Sequence, residues 1–390
     1  MIKKFITFGK PSVGHEELKY ITKVIKSKWI GSGPVTEKFE KQFQIYKKSK
    51  YALSVNSCTA ALHLSLMFSG IKKNDEVITT PMTFASTINS IILTGAKPIL
   101  ADIDINSFNI DPLEIEKKIT KKTKAVIIVH LAGLPCNMTK IKKIVKKHNI
   151  KLIEDCAHAI ESKYNGTHVG NFGETGCFSF YSTKNITTGE GGMVICNNKN
   201  IYKKIRVARL HGLSKDAWKR NLPESVKKNR NTFQHYDVTE VGLKYNMIDI
   251  NAAMGIVQLK KIEKHWKIRK KLFELYKKKL IKLPFKFQEF EDKNIKHAYH
   301  LLLLIVDKKR TKIKRDELVN YLRKNNIGSG INYRSVTDMT VYKKKFSWNK
   351  NTCKNSKYVG DNTLSLPLYP TLTIKEVNYI CEKIHKFFKI

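Results

Sequence analysis

The feature that most constrains the fold is a regular alternation, between residues 50 and 200, of short apolar segments with segments of helical periodicity. The apolar segments have the length and composition of buried strands: Tyr51–Val55, Glu76–Thr79, Pro98–Asp102, Ala125–His130, Lys151–Asp155, Cys177–Phe180 and Met193–Cys196. The helical segments between them include Thr59–Ser69, Ser86–Leu93 and Thr139–His148. This alternation predicts an α/β fold with a mostly parallel sheet covered by helices on both faces.

A different pattern follows in the C-terminal third. A long helix is predicted from about Ile250, because apolar residues recur at helical spacing up to a break at Leu283-Pro284. The apolar stripe consists of Leu259, Ile262, Trp266, Phe273, Tyr276 and Leu280. A strand at His300–Val306 and a helix at Arg315–Asn325 come next. We therefore expect a large domain over 1–255 and a smaller α+β domain over 256–390.

The formal net charge of +40 would suit a nucleic-acid-binding protein, but the kind of basic residue argues against that class. Only nine of the 73 basic residues are arginine, the side chain that nucleic-acid readers favour for phosphate and guanine. The lysines are scattered along the chain, which indicates a solvated basic surface. Such a surface could still attract anionic substrates or the anionic face of a membrane.

Cysteine spacing and the N-terminal residues bear on the cellular compartment. The seven cysteines form neither a CxxC pair nor a zinc-ligand spacing, and several lie in apolar runs, which indicates buried thiols in a reducing compartment. The segment Met1–Lys10 has no hydrophobic signal stretch, and the longest aliphatic run, Leu301–Val306, is far too short to span a membrane. We expect a cytoplasmic protein with no metal site and no integral membrane segment.

Two segments could bind an anionic, nitrogen-containing ligand. Asn56–Leu62 follows a predicted strand and opens a helix with small polar residues, where backbone N–H groups favour phosphate. Asp155 ends an apolar strand, at the edge where parallel sheets place ligands, and its carboxylate could keep a ring nitrogen protonated. Ordinary helix capping explains both features equally well when each is taken alone.

A lysine and a glycine-rich turn complete the candidate site. Lys184 lies just beyond the Cys177–Phe180 strand among small polar residues, and a partly desolvated lysine has a lowered pKa and reacts with carbonyl groups. Glycines in Thr187–Met193 would let the backbone pass close to a ligand. Without that turn, Lys184 could equally be one more surface lysine.

Taken in order, these segments closely resemble the DegT-type sugar aminotransferases, which have fold type I and depend on pyridoxal phosphate (PLP). The resemblance covers nearly the whole chain. Further motifs that carry it are Trp29–Pro34, Asn74–Ile78, Pro81–Phe84, Thr123–Ala125, Leu210–Leu213, Gly242–Ala253 and Ser365–Pro370. Within the family, Lys244–Asn246 and Gly328–Arg334 look most like the UDP-4-keto-pentose aminotransferases of lipid A modification.

The resemblance implies a role for each matching residue around the cofactor ring. Lys184 would hold PLP covalently and act as the catalytic residue. Asp155 would pair with the pyridine nitrogen, and His158 would lie beside the ring and its phenolic oxygen. Phe84 would stack on the open face of the ring.

The resemblance also implies a phosphate site shared between two subunits. Cys58, Thr59 and Ser179 would hold the phosphate within one chain. Many relatives carry Gly or Ala at the position of Cys58, and a backbone contact would survive that change. Asn246 would reach the phosphate of the neighbouring subunit's cofactor, so a homodimer is expected.

The substrates implied are an amino-acid donor, glutamate, and a nucleotide-linked 4-keto sugar used in surface glycan or lipopolysaccharide biosynthesis. Gly31, Ser32 and Arg334 would line the sugar-nucleotide side. The planar fork of Arg334 suits a diphosphate or carboxylate, although a surface ion pair would also explain it. Asn332 stands where the lipid A enzymes carry a histidine, which leaves a 4-keto-6-deoxyhexose as open as the pentose.

Two other functions are compatible with this fold. A PLP-dependent sugar dehydratase would carry histidine at the position of Lys184. A non-catalytic regulatory or binding protein would not need Asp155, Ser179 and Lys184 intact.

Overall fold

The computed structural model describes residues 4–214, 236–289 and 294–388. Its helices are α1 His15–Lys26, α2 Pro34–Lys47, α3 Cys58–Phe68, α4 Ala85–Leu93, α5 Pro112–Lys117, α6 Met138–Lys147, α7 Lys199–Ala208, α8 Asp249–Leu280, α9 Lys308–Thr311, α10 Arg315–Lys324, α11 Thr340–Phe346, α12 Lys354–Asn362 and α13 Ile374–Phe387. Its strands are β1 Tyr51–Val55, β2 Glu76–Thr79, β3 Lys97–Leu100, β4 Thr123–Val129, β5 Lys151–Asp155, β6 Lys163–Tyr164, β7 Thr167–His168, β8 Thr175–Ser179, β9 Gly192–Cys196, β10 Lys286–Phe287, β11 Ile295–Lys296, β12 Leu302–Ile305 and β13 Thr363–Leu366.

The central sheet has seven strands in the order β1-β9-β8-β5-β4-β2-β3. The pairs β8–β5, β5–β4, β4–β2 and β2–β3 are parallel, whereas β9 is antiparallel to both of its neighbours. All seven predicted strands are present in this sheet, with ends that differ by a residue or two. The predicted α/β class with a mostly parallel sheet is confirmed.

Helices cover both faces of this sheet because successive side chains of a strand point to opposite sides. On β1, Leu53 packs into a core with α3 and α7, and its neighbour Ala52 packs into a second core with α2 and α8. On β4, Ile127 joins the first core, and Ile128 packs on the other face with α6. The strands therefore read as continuous apolar runs, as expected for a sheet covered on both sides.

Helix α3 follows β1 almost directly and lies against the middle of the sheet. Eight of its eleven residues are buried, since its sequence is apolar on nearly every side. The Ser57 side chain caps the helix by accepting a hydrogen bond from the backbone N–H of Ala60 at 3.1 Å. This short connection fixes the beginning of α3 at the carboxyl end of β1.

Helix α8 joins the large sheet to the C-terminal part of the chain. Ala252 and Ile256 pack with α2 in the core beside the central sheet, whereas Leu272 and Tyr276 pack against the three-stranded antiparallel sheet β10-β12-β13. Helices α10 and α13 cover that sheet, which confirms the expected α+β arrangement. A division at residue 255 falls within α8 and stays a prediction. None of the described helices is long and apolar enough to cross a membrane.

Candidate active site

Several of the predicted site residues meet at one edge of the central sheet. Cys58 begins α3 just after β1, Asp155 ends β5, and Lys184 follows β8. The Cys58 Sγ lies 3.9 Å from Asp155 Oδ1. The positive charge of Lys184 lowers the pKa values of both Cys58 and Asp155, although burial outweighs it in each case and raises them. The three segments thus converge where open α/β sheets bind ligands.

Asp155 is a buried carboxylate held by neutral donors. Thr87 Oγ1 donates to Asp155 Oδ2 at 2.8 Å, and the backbone N–H of Ala157 donates to Oδ1 at 3.1 Å. Burial raises the pKa of this carboxyl, while those two hydrogen bonds act in the opposite direction. Within the described residues no cationic side chain forms an ion pair with it. Such a carboxylate fits a ligand that brings its own positive charge, as a protonated pyridine does.

The beginning of α3 forms a backbone cradle. The first N–H groups of a helix have no partner within it, which leaves those of Cys58 and Thr59 available to an anion. Gly192 packs against the same turn: a Cβ there would lie 2.5 Å from the Ser57 carbonyl oxygen and 2.8 Å from the Cys58 nitrogen. Any larger residue would displace the turn, so the close approach requires glycine.

Lys184 lies on the turn after β8, where its backbone N–H donates to the Tyr181 carbonyl at 2.9 Å. Burial lowers the pKa of its amine to about 8, against the opposing influence of Cys58 and Asp155. Its Nζ has no hydrogen-bond or ion-pair partner among the described residues. An amine that is partly neutral at physiological pH is suited to act as a nucleophile or as a proton carrier. Ser179, which ends β8, is buried beside this turn.

His158 contributes to an aromatic wall beside Lys184. The backbone N–H of Ala132 donates to His158 Nδ1 at 3.2 Å, and His158 Nε2 lies 3.0 Å from the Tyr333 hydroxyl. Burial lowers the pKa of His158 well below its usual value, so the ring is neutral. Phe84 is 62% exposed and its ring centroid lies 6.0 Å from that of Tyr333. An exposed phenylalanine at the end of a parallel sheet is available to stack on a planar ligand.

The structure places Gly31, Ser32 and Asn246 apart from Lys184. They line a separate cavity of about 690 Å³ whose wall does not include Lys184. Asn246 Nδ2 donates to Ser32 Oγ at 2.7 Å, and Lys244 Nζ donates to Asn246 Oδ1 at 2.8 Å. Asn246 therefore has a partner within its own chain, because the Trp29–Pro34 loop folds against it.

Arg334 is exposed and follows Tyr333, which is half-buried. Among the described residues it forms no ion pair and no hydrogen bond, so the surface ion pair considered from sequence is not formed within these parts of the chain. Asn332 and Tyr333 line a small cavity of about 60 Å³ together with Lys184. The segment that ends at Arg334 therefore approaches the reactive lysine.

Within the described parts of the chain, the fold assembles one group of potential metal ligands, at His130, Glu154 and Cys156. Glu154 accepts hydrogen bonds from the backbone N–H groups of Gly170, Phe172 and Gly173 at 2.7–2.9 Å, and its Oε2 lies 3.2 Å from His130 Nε2. Its carboxylate is thus occupied in fixing a loop. The sequence-based expectation of no metal stays a prediction.

Two residues at the site went unassigned in the sequence analysis. Thr87 holds Asp155, but a threonine inside a helix gives no local sign of which group it faces. His300 begins a predicted strand and lines the cavity beside Lys184. Its pKa lies well below the usual value because it is buried, and only the folded chain brings it near Lys184.

The fold and the site together define a PLP-dependent enzyme of fold type I. A cationic ring nitrogen would meet the Asp155 carboxylate, and a phosphate would meet the free N–H groups at the beginning of α3. Lys184 lies close enough to Cys58 and Asp155 to influence the pKa of both. The individual contacts of Cys58, Thr59, Phe84, His158, Ser179 and Asn246 with the cofactor stay predictions.

The chain belongs to the DegT/DnrJ/EryC1/StrS aminotransferase family, whose model matches residues 11–385. It is a PLP-dependent sugar aminotransferase, and the resemblance recognised in the sequence is confirmed. It is 39% identical to the spore coat polysaccharide biosynthesis protein SpsC of Bacillus subtilis, over 99% of this chain and 97% of SpsC.

Solved structures agree with this assignment. The fold matches the PMP-form of Spr1654 from Streptococcus pneumoniae with a TM-score of 0.90 and 27% identity, over 98% of this chain and 99% of that one. It matches Helicobacter pylori PseC, an aminotransferase involved in the biosynthesis of pseudoaminic acid, with a TM-score of 0.89 and 28% identity, over 99% and 100%.

Proposed function

We propose that the protein transfers the amino group of an amino acid, L-glutamate, to a nucleotide-linked 4-keto sugar in the cytoplasm, as a step in making a surface polysaccharide or lipopolysaccharide. The observation that carries this proposal is the position of Lys184. Its amine, whose pKa is lowered to about 8 by burial, lies beside a buried carboxylate and lines a cavity with the Asn332–Tyr333 segment. The names of SpsC and PseC support a glycan product.

PLP, when bound, supplies an electron sink for removal of a proton from carbon. The protein's own residues set up that chemistry. Asp155 would keep the ring nitrogen protonated, since the Thr87 and Ala157 hydrogen bonds hold its carboxylate in place. Lys184 Nζ, which has no competing hydrogen bond among the described residues, would take up the proton removed from the amino-acid carbon.

The separation of the two cavities supports a dimer with shared sites. Asn246 and Ser32 line a cavity apart from Lys184 of their own chain, so they are free to complete the site of a second copy. The cavity wall also carries Ile30 and Ile248, which are 52% and 40% exposed. Exposed apolar side chains around a polar cluster are typical of an interface.

Subunit mixing tests the shared site. Lys184→Ala and Asn246→Ala proteins should each be inactive, and a hybrid dimer should recover activity because one of its two sites carries both native residues. Hybrids purified through two different affinity tags give the measurement. Confirmed hybrids with no recovery would contradict sharing.

The acceptor is tested with a panel of UDP-, dTDP- and GDP-linked keto sugars, each supplied with glutamate. Formation of an amino sugar and of 2-oxoglutarate is followed by mass spectrometry. The proposal expects amination at carbon 4 of one nucleotide class, and Lys184→Ala should abolish it. Amination of free sugars, or of a 3-keto group only, would refute the acceptor assignment.

A further inference from the structure

A chain of buried polar contacts runs from helix α8 to the cavity beside Lys184. Arg269 forms an ion pair with Glu161, and both side chains are almost completely buried. Glu161 Oε2 accepts a hydrogen bond from Asn185 Nδ2 at 2.7 Å. Asn185 Oδ1 lies 2.9 Å from His300 Nδ1. The last of these contacts ends on a ring that lines the 60 Å³ cavity.

This series of buried contacts fixes the tautomer of His300. Asn185 Nδ2 faces two acceptors, the Glu161 carboxylate and the Ala298 carbonyl at 3.1 Å, so its amide has one possible orientation. Asn185 Oδ1 must then accept the proton of His300 Nδ1. Since burial keeps the ring neutral, Nε2 carries a lone pair. It has no hydrogen-bond partner among the described residues.

The neighbouring histidine has the opposite tautomer. His158 Nδ1 accepts from the Ala132 N–H, so its Nε2 donates to the Tyr333 hydroxyl oxygen at 3.0 Å. The two imidazole rings pack with centroids 4.4 Å apart. Because the Tyr333 oxygen is an acceptor from His158, its own hydrogen is free to be donated. The cavity beside Lys184 thus carries an acceptor on His300 and a donor on Tyr333.

The balance of donors and acceptors indicates what the cavity recognises. Asn332 Oδ1, on the same wall, is a second buried acceptor with no partner in the described parts of the chain. A carboxylate offers lone pairs only and cannot donate to either of these acceptors. A hydroxyl group both donates and accepts, and so matches an acceptor–donor pair. The chemistry favours a sugar hydroxyl over the carboxylate of the amino donor.

We infer that the unprotonated Nε2 of His300 accepts a hydrogen bond from a hydroxyl group of the sugar acceptor. Arg269, Glu161 and Asn185 position His300 by fixing its tautomer. This inference rests on the proposed function, because it needs a hydroxyl-bearing keto sugar as substrate. His300 is then a specificity-determining residue, and the other three act through it.

Two substitutions separate the roles of the two ring nitrogens. In His300→Asn, the amide nitrogen can take the place of Nδ1 and still donate to Asn185, but no acceptor remains at the position of Nε2. In His300→Gln, the longer side chain can return an oxygen toward that position. We expect His300→Asn to raise the KM for the keto sugar about tenfold, the loss of one hydrogen bond to a buried acceptor. His300→Gln should recover most of that loss.

The KM for glutamate and the binding of PLP should be unchanged in both variants. A rise in the glutamate KM, or loss of PLP binding in His300→Asn, would overturn the inference. The tautomer is tested separately by ¹⁵N NMR of histidine-labelled holoenzyme, with the His300 signals assigned from their absence in His300→Asn. A protonated Nδ1 and an unprotonated Nε2 are expected, and the reverse would refute the inferred tautomer. If no keto sugar is aminated, the proposed function fails, and the NMR result still decides the tautomer.

Discussion

Thr87 donates its hydroxyl hydrogen to Asp155 Oδ2 over 2.8 Å, and it lies at the same distance from a second buried hydroxyl, that of Thr83. Because the Thr87 hydrogen is committed to the carboxylate, Thr83 must donate to Thr87. Each hydroxyl in this pair therefore polarises the next. The Pro81–Phe84 segment and α4 together hold Asp155 in one orientation, the one that a ring nitrogen would meet.

Replacing Thr87 by valine removes this donor while keeping the shape of the side chain. We expect kcat to fall about tenfold, because one hydrogen bond to a buried charged group is lost. Asp155→Asn removes the carboxylate itself and should therefore have the larger effect. We expect its kcat to fall by about two to four orders of magnitude, since removing one partner of a buried ion pair costs about 3–5 kcal/mol. Steady-state rates and the absorption spectrum of bound PLP give the measurement.

Thr87→Ser is the matched control, because it keeps the hydroxyl and loses only a methyl group. It should retain most of the wild-type kcat. If serine and valine reduce kcat equally, packing and not the hydrogen bond is responsible.

Lys184→Ala should abolish turnover without destabilising the fold. The Lys184 Nζ has no partner among the described residues, and a lysine whose pKa is lowered by burial is not a stabilising group. The variant should still bind PLP non-covalently, and borohydride should no longer fix the cofactor to the chain. Lys199→Ala changes an exposed lysine at the beginning of α7. Borohydride should fix the cofactor to this variant as it does to the wild type. Labelling of another lysine in the native protein would refute the assignment.

Much of the fold could be predicted because the sheet is buried on both faces. Its strands read as largely apolar runs such as Gly192–Cys196, and α3 is apolar on nearly every side. The site residues Asp155 and Lys184 could also be predicted from the sequence, because family motifs carry them. By contrast, the partners of Asn246 depend on how the Trp29–Pro34 loop folds back, which no local pattern encodes.

The buried polar contacts that run from Arg269 to His300 could not be predicted from the sequence. Arg269 sits on α8 near the apolar stripe of that helix, but it is buried, and its partner Glu161 is 108 residues away in sequence. Helical periodicity predicts which face of a helix is covered, and it does not predict a buried ion pair. The contacts of Asn185 and His300 likewise span 115 residues.

Lys47 gives a prediction on the pH dependence of stability. It is completely buried at the end of α2, where its Nζ donates to the Ile160 carbonyl at 2.8 Å and lies 4.6 Å from the centre of the Phe178 ring. Burial lowers its pKa from 10.5 to about 8. Between those values the unfolded chain binds more protons than the folded one, so the free energy of unfolding rises with pH in that window.

Comparison with Lys47→Met isolates this effect. Relative to the variant, the wild type should gain about 2–3 kcal/mol between pH 7.5 and 10, as expected for a pKa shift of this size. Urea unfolding at both pH values, followed by circular dichroism, gives the difference. Lys50→Met, at an exposed position, should track the wild type. A pH-independent difference between the wild type and Lys47→Met would show that Lys47 does not titrate in this range.

We predict that Arg334 binds the anionic part of the sugar nucleotide. It is exposed and has no ion pair among the described residues, and it follows Tyr333, which lines the cavity with Lys184. Its guanidinium can form two parallel hydrogen bonds to a diphosphate, which a lysine cannot. Arg334→Ala should therefore raise the KM for the sugar nucleotide by about tenfold or more while changing the KM for glutamate little.

Arg334→Lys keeps the charge and loses the paired geometry, so it should restore only part of the affinity. Arg323→Ala, which removes an exposed arginine from α10, controls for the loss of one positive charge from a basic surface. Raising the salt concentration should weaken sugar-nucleotide binding in the wild type and in Arg323→Ala, because salt screens the long-range attraction. The same increase in salt should weaken binding less in Arg334→Ala. If only the glutamate KM rises in Arg334→Ala, this residue holds the carboxylate of the donor. The sugar nucleotide must then enter from another side of Lys184.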